Sequence, residues 1–109
     1  MKIFQTNQFK KEIKKLHPNQ KREVDVAVRA IVKDPDLGHP KIGDLAGVLV
    51  YKFKMVNQLT LLAYTYDHQT ITLTLLALGT HENFYRDLKK SRWSRYPAME
   101  ARKRVINRD

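Results

Sequence analysis

Val48-Leu49-Val50-Tyr51-Lys52-Phe53-Lys54-Met55 alternates two unlike sets of side chains. Val48, Val50, Lys52 and Lys54 share one set, and Leu49, Tyr51, Phe53 and Met55 the other, which is the period of a strand with two different faces. Val56-Asn57-Gln58 is a tight connection into a second strand, Leu59 to Tyr66. Asp67-His68-Gln69 turns the chain again into Thr70 to Leu78, which opens with a strict hydroxyl/apolar alternation, Thr70-Ile71-Thr72-Leu73-Thr74-Leu75. Three strands joined by two short turns predict an antiparallel meander.

Upstream of the meander the period is helical. Residues 1–5 read as a short first strand, and Thr6 as a helix cap. Phe9, Ile13 and Leu16 then form an apolar stripe, with Lys10, Lys11, Lys14 and Lys15 facing water. His17-Pro18 breaks that helix, and proline is at home in the first turn of the next. The second helix buries Val24, Ala27, Val28, Ile31 and Val32, ends at Asp34-Pro35-Asp36-Leu37-Gly38, and leads into a loop reaching Gly47. The expected fold class is therefore α+β, with two N-terminal helices packed on one face of a small antiparallel sheet. The other face is expected to form a shallow basic concavity.

Downstream, the last strand runs into Gly79-Thr80-His81-Glu82-Asn83-Phe84-Tyr85-Arg86. His, Glu, Tyr and Arg within so few residues can move protons or hold a phosphate. A short helix to about Lys90 should follow, then a basic tail containing Trp93 and Tyr96-Pro97 and a final helix from Ala98 to Ile106. The 109 residues are read as one domain, with a core over about 1–90 and a basic C-terminal extension over 91–109.

The formal charge is +10. It is carried by the ends: nine basic and four acidic residues in 1–34, three and four in 35–85, nine and three in 86–109. Such an excess points to a polyanionic partner such as nucleic acid, an acidic protein or an anionic surface. The chain has no cysteine, which removes disulfides and thiolate metal sites. It has no stretch of membrane-spanning length and no apolar leader after Met1, so a cytoplasmic protein is expected. His17, His39 and His68 lack metal-ligand spacing, and neither a metal nor a cofactor is expected.

Asp34-Pro35, Lys41-Ile42-Gly43-Asp44-Leu45-Ala46-Gly47, Tyr51-Lys52-Phe53-Lys54 and Leu78-Gly79-Thr80-His81-Glu82-Asn83-Phe84-Tyr85, in this order and spacing, resemble the RelE/ParE superfamily of toxins. These belong to bacterial type II toxin–antitoxin pairs, and the resemblance covers roughly residues 1–90. It implies a small α+β toxin held inactive by a cognate antitoxin in a toxin–antitoxin hetero-oligomer. Many members cut mRNA in the ribosomal decoding site, whereas the ParE branch inhibits DNA gyrase. Ribosome-dependent members often carry an Arg in the middle strand, near Thr60 here, and another after the last strand, where this chain has Thr80-His81.

The site expected for a ribosome-dependent endonuclease (RNase) is built from named residues. Metal-free cleavage by the 2′-hydroxyl needs a base, an acid and cations around the phosphate. His81, with an ordinary pKa near neutrality, is the acid–base candidate; the competing reading is a histidine flanking a final helix. Tyr85, four residues on, either stacks on or orients substrate or is an ordinary core tyrosine. Glu82 and Arg86 make a surface ion pair, or Arg86 joins the phosphate site. Lys52 and Lys54, about 7 Å apart on one strand face, suit neighbouring phosphates, or are simply solvated. Lys10, Lys11, Lys14, Lys15, Arg92 and Arg95 are the candidate RNA-binding cations, the last two interleaved with Trp93 and Tyr96. Two alternatives stand beside this reading: a gyrase inhibitor that cuts nothing, and a module that holds RNA without altering it.

Overall fold

The computed structural model describes residues 1–80 and Phe84. The order of elements is β1 (Lys2–Gln5), α1 (Asn7–Lys14), α2 (Pro18–Lys33), β2 (His39–Pro40), β3 (Leu49–Met55), β4 (Gln58–Asp67) and β5 (Thr72–Gly79), with one 3₁₀ turn at Gly43–Leu45. The strands form one five-stranded sheet in the order β1-β5-β4-β3-β2. The meander is antiparallel as expected, but β1 lies parallel to β5, with Ile3 opposite Leu73 and Gln5 opposite Leu75. The two helices carry the chain across the sheet, so the meander starts at the far edge and returns to finish beside β1.

Both helices begin where the sequence says they should. The Thr6 hydroxyl accepts a hydrogen bond from the Phe9 N–H at 3.1 Å and donates one to the Leu76 carbonyl at 2.7 Å. One side chain thus caps α1 and ties it to β5. At the second helix the Gln20 side chain accepts from the His17 N–H at 2.8 Å, with Pro18 in the first turn. Phe9, Val24, Ala27 and Ile31 are buried against Leu62, Tyr64, Leu73, Leu75 and Leu78 of the sheet, forming the main core.

A second apolar cluster occupies the other face of the sheet: Leu45, Val48, Val50, Leu61, Ala63, Leu76, Ala77 and Phe84. That face is therefore not the open basic concavity the sequence suggested. Its centre is apolar and buried, and its lysines stand toward one end. Two local features produce the arrangement. A bulge lies where Ala63 pairs with Ala77 but Tyr64 pairs with Leu75, leaving Leu76 over. The extra residue shifts the side-chain phase, so Leu73 and Leu75 face the helices before it, Leu78 after it, and Leu76 and Ala77 join the second cluster. The strict alternation of 70–75 thus stops one residue later. Thr72 and Thr74, expected on a polar face, are buried as well.

Tyr64 anchors the loop after α2. Its hydroxyl donates to the Pro35 carbonyl at 2.7 Å and accepts from the Gly38 N–H at 2.8 Å. A Cβ on Gly38 would stand 2.8 Å from that hydroxyl, so the close approach requires glycine.

Candidate functional site

The cross-strand register builds the site around β3. Lys52 lies opposite Leu61 and Lys54 opposite Leu59, and directly paired residues of an antiparallel ladder share a face. Both lysines are exposed, on the side away from the helices, while Val50 and Leu61 beneath and beside them are buried. On the opposite side of the same strand Tyr51 and Phe53 stack, with ring centroids 5.9 Å apart and planes 13° from parallel. β2 pairs only with Leu49 and Val50, so from Tyr51 onward β3 is, among the described residues, an edge of the sheet. An edge strand carrying lysines resists unwanted pairing, and the same placement presents cations to a ligand.

The row continues onto β5. Leu61, opposite Lys52, is itself opposite Gly79. Two inter-strand spacings separate Lys52 from Gly79, about 10 Å of backbone. Phe84 lies in the second cluster with Leu61, on the lysine face, and its ring sits against Gly79, where an added Cβ would be 2.9 Å from the Phe84 Cδ1. Phe84 therefore stands on the face that carries Lys52 and Lys54. His81, Tyr85, Arg86, Arg92 and Arg95, expected in the site or its approaches, lie outside the described residues.

The α1 lysines are not part of this row. Lys10, Lys11, Lys14 and Lys15 are all exposed, on a helix that packs against the other side of the sheet. Lys15 instead borders a cleft of about 270 Å³ at the open end of the fold, lined also by Glu12, Met55, Thr60, Leu78 and Thr80. Thr60 pairs with Phe53, so it faces the helices, is fully buried, and donates to the Gln58 carbonyl at 3.1 Å. On the lysine face β4 offers Leu59 and Leu61, and neither is a cation.

Two residues escaped the sequence reading. Glu12 Oε1 accepts a hydrogen bond from the Leu78 N–H at 2.8 Å, holding β5 one residue before Gly79. A single carboxylate among four lysines, three residues after the buried Phe9, was the available signal. Leu59 is 52 % exposed although its same-face neighbours on β4, Leu61 and Ala63, are buried. Its place inside an apolar run concealed it.

Of the remaining titratable groups, His68 Nε2 lies 3.4 Å from Asp36 Oδ1, both side chains being exposed. The Tyr64 hydroxyl has its pKa raised above the ordinary value, first by burial and then by the Asp36 and Asp34 carboxylates, against the lowering effect of the Gly38 N–H. Among the described residues no three His, Cys, Asp or Glu side chains converge as a metal site would require, and no helix is long and apolar enough to cross a membrane.

The fold and sequence are similar to known proteins. Residues 3–89 match the family model described as ParE-like toxin of type II bacterial toxin–antitoxin system. Among solved structures, a chain of the intact E. coli RelBE toxin–antitoxin complex superposes with a TM-score of 0.61 at 14 % identity, covering 74 % of this chain and 96 % of that one. A YoeB/ParE toxin from Agrobacterium tumefaciens gives 0.60 at 17 % identity, over 75 % and 100 %. A chain of a RelBE toxin–antitoxin complex from Mycobacterium tuberculosis gives 0.59 at 20 %, over 73 % and 96 %. At these identities the likeness is one of fold. No curated protein matches the chain.

Proposed function

The chain belongs to the ParE-like toxin family of type II bacterial toxin–antitoxin systems, and on that premise we propose that it is a ribosome-dependent mRNA endonuclease. The observation that carries the proposal is the placement of Lys52 and Lys54, both exposed on the sheet face where Phe84 packs against Gly79. Two cations on a rigid strand, beside the root of a His-Glu-Asn-Phe-Tyr-Arg segment, supply what phosphodiester cleavage needs.

In this reading the 2′-hydroxyl of one nucleotide attacks the adjacent phosphorus and loses its proton to a base. The P–O5′ bond breaks, the departing 5′-oxygen takes a proton, and a 2′,3′-cyclic phosphate and a 5′-hydroxyl end result. His81 exchanges the protons, Tyr85 orients or stacks the substrate, and Lys52, Lys54 and Arg86 stabilise charge on the phosphate oxygens. Lys10, Lys11, Lys14, Lys15, Arg92 and Arg95 add non-specific attraction to RNA. The toxin acts in the cytoplasm, where translating ribosomes are, and a cognate antitoxin neutralises it in a hetero-oligomer.

The second reading, inhibition of DNA gyrase without cleavage, is favoured by one feature: β4 contributes leucines, not a cation, beside Lys52 and Lys54. Inducible expression without an antitoxin separates the two. New mRNA 5′ ends with normal plasmid supercoiling support the nuclease, with Lys52→Ala lowering kcat about 10²-fold or more. Intact mRNA with relaxed plasmid supports the gyrase inhibitor, and an unchanged cell supports neither.

A further inference from the structure

We propose that Leu59 is a specificity-determining contact for the substrate, an apolar seat for an unpaired nucleobase beside the phosphate held by Lys54; this rests on the endonuclease reading above. Leu59 lies directly opposite Lys54, in the pair next to the one that closes the β3–β4 hairpin. Its side chain shares the lysine face and is 52 % exposed, whereas Leu61, one step inward on the same face, is 3 % exposed. The second apolar cluster therefore ends before Leu59 and leaves this leucine to solvent.

Of the other large exposed apolar side chains among the described residues, Val56 stands in the β3–β4 turn, outside the ladder, and the rest belong to other parts of the fold. Val26 is on α2, Ile42 in the loop before the 3₁₀ turn, and Ile71 in the turn before β5. Among the described residues, Leu59 alone of the large exposed apolar side chains is paired in register with a lysine of the site. Cross-strand partners stand about 5 Å apart at Cβ, near enough for one nucleotide to touch both side chains. An ammonium group on the phosphate and an isobutyl group under the base thus fit one nucleotide of a single strand. The charge of the molecule selects a polyanion as occupant, and apolar support for bases favours the unpaired state over a duplex, whose base faces are hidden. The hairpin backbone fixes the seat, because Lys54 and Leu59 sit in one ladder.

The test uses the full-length protein in a purified translating system with a defined mRNA, comparing wild type, Leu59→Ala and Leu59→Phe. Leu59→Ala should raise KM about three- to tenfold with kcat nearly unchanged, and should redistribute the cut positions. Leu59→Phe, which offers a larger surface for stacking, should restore or lower KM. Thermal melts serve as the folding control, since an exposed side chain contributes little to the core. Wild-type KM and cut positions in both variants would overturn the inference while leaving the endonuclease reading intact. A wild-type protein that cuts no mRNA would sink that reading first. Loss of gyrase inhibition in Leu59→Ala, with mRNA intact, would assign the leucine to a protein partner and overturn the nucleobase seat.

Discussion

Tyr64 concentrates several constraints in one side chain. Its ring is fully buried and its hydroxyl serves two backbone groups of the loop after α2. Tyr64→Phe keeps the packing but strips partners from the Pro35 carbonyl and the Gly38 N–H, at a cost of about 1–3 kcal/mol measurable by urea unfolding. The raised pKa adds a pH signature. The folded state holds the phenol proton more tightly than the unfolded chain does, so this contribution is intact below about pH 10 and is lost as pH rises through the folded pKa. Wild type should therefore lose stability more steeply than Tyr64→Phe over that alkaline range. At the β3–β4 turn Val56 and Asn57 both have positive φ, 51° and 69°. Asparagine tolerates that region, whereas a β-branched valine does not. Val56→Asn should raise the stability by about 1 kcal/mol, and an unchanged or lowered melting temperature would refute the strain argument.

At the scale of elements, α1 does more than cover the sheet. β1 pairs with β5 only from Lys2 to Gln5, so beyond Leu75 the flank of β5 is served by side chains of the helix region. The Thr6 hydroxyl takes the Leu76 carbonyl and the Glu12 carboxylate takes the Leu78 N–H. Together they hold the strand end from which the His81-containing segment departs. Glu12→Gln retains an acceptor and should retain slow amide exchange at Leu78. Glu12→Ala should lose that protection and about 1–2 kcal/mol of stability. Equal exchange in both variants would show that the contact is dispensable. The helix itself was legible in the sequence, from a cap and an apolar stripe at the right spacing. The contacts from Thr6 and Glu12 to β5 were not, because they join residues 70 and 66 positions apart.

At the scale of the molecule, the described residues put cations on both sides of the sheet, the α1 lysines on one and Lys52 with Lys54 on the other. Attraction to RNA should be salt-dependent, with each single-strand phosphate contact adding about 0.7 to the slope of log affinity against log salt. Replacing Lys52 and Lys54 with alanine should lower that slope by about 1.4, and a slope identical to wild type would exclude both from phosphate contact. The sequence by itself determined the meander, the two helices, the break at His17-Pro18 and the pairing of Lys52 with Lys54 on one face. Those features follow from short-range periodicity, which a local pattern of side chains encodes directly. It also carried the resemblance to the toxin family, through the order of several weak motifs. Only the tertiary structure decided that β1 joins β5 in parallel, that the bulge at Leu76 changes the phase of the last strand, and that the lysine face is floored by a second apolar core. It alone placed Thr60 under the helices and left Leu59 exposed beside Lys54. Each of these depends on register between distant segments, and a one-residue shift in pairing reverses which face a side chain takes. No local pattern contains that information.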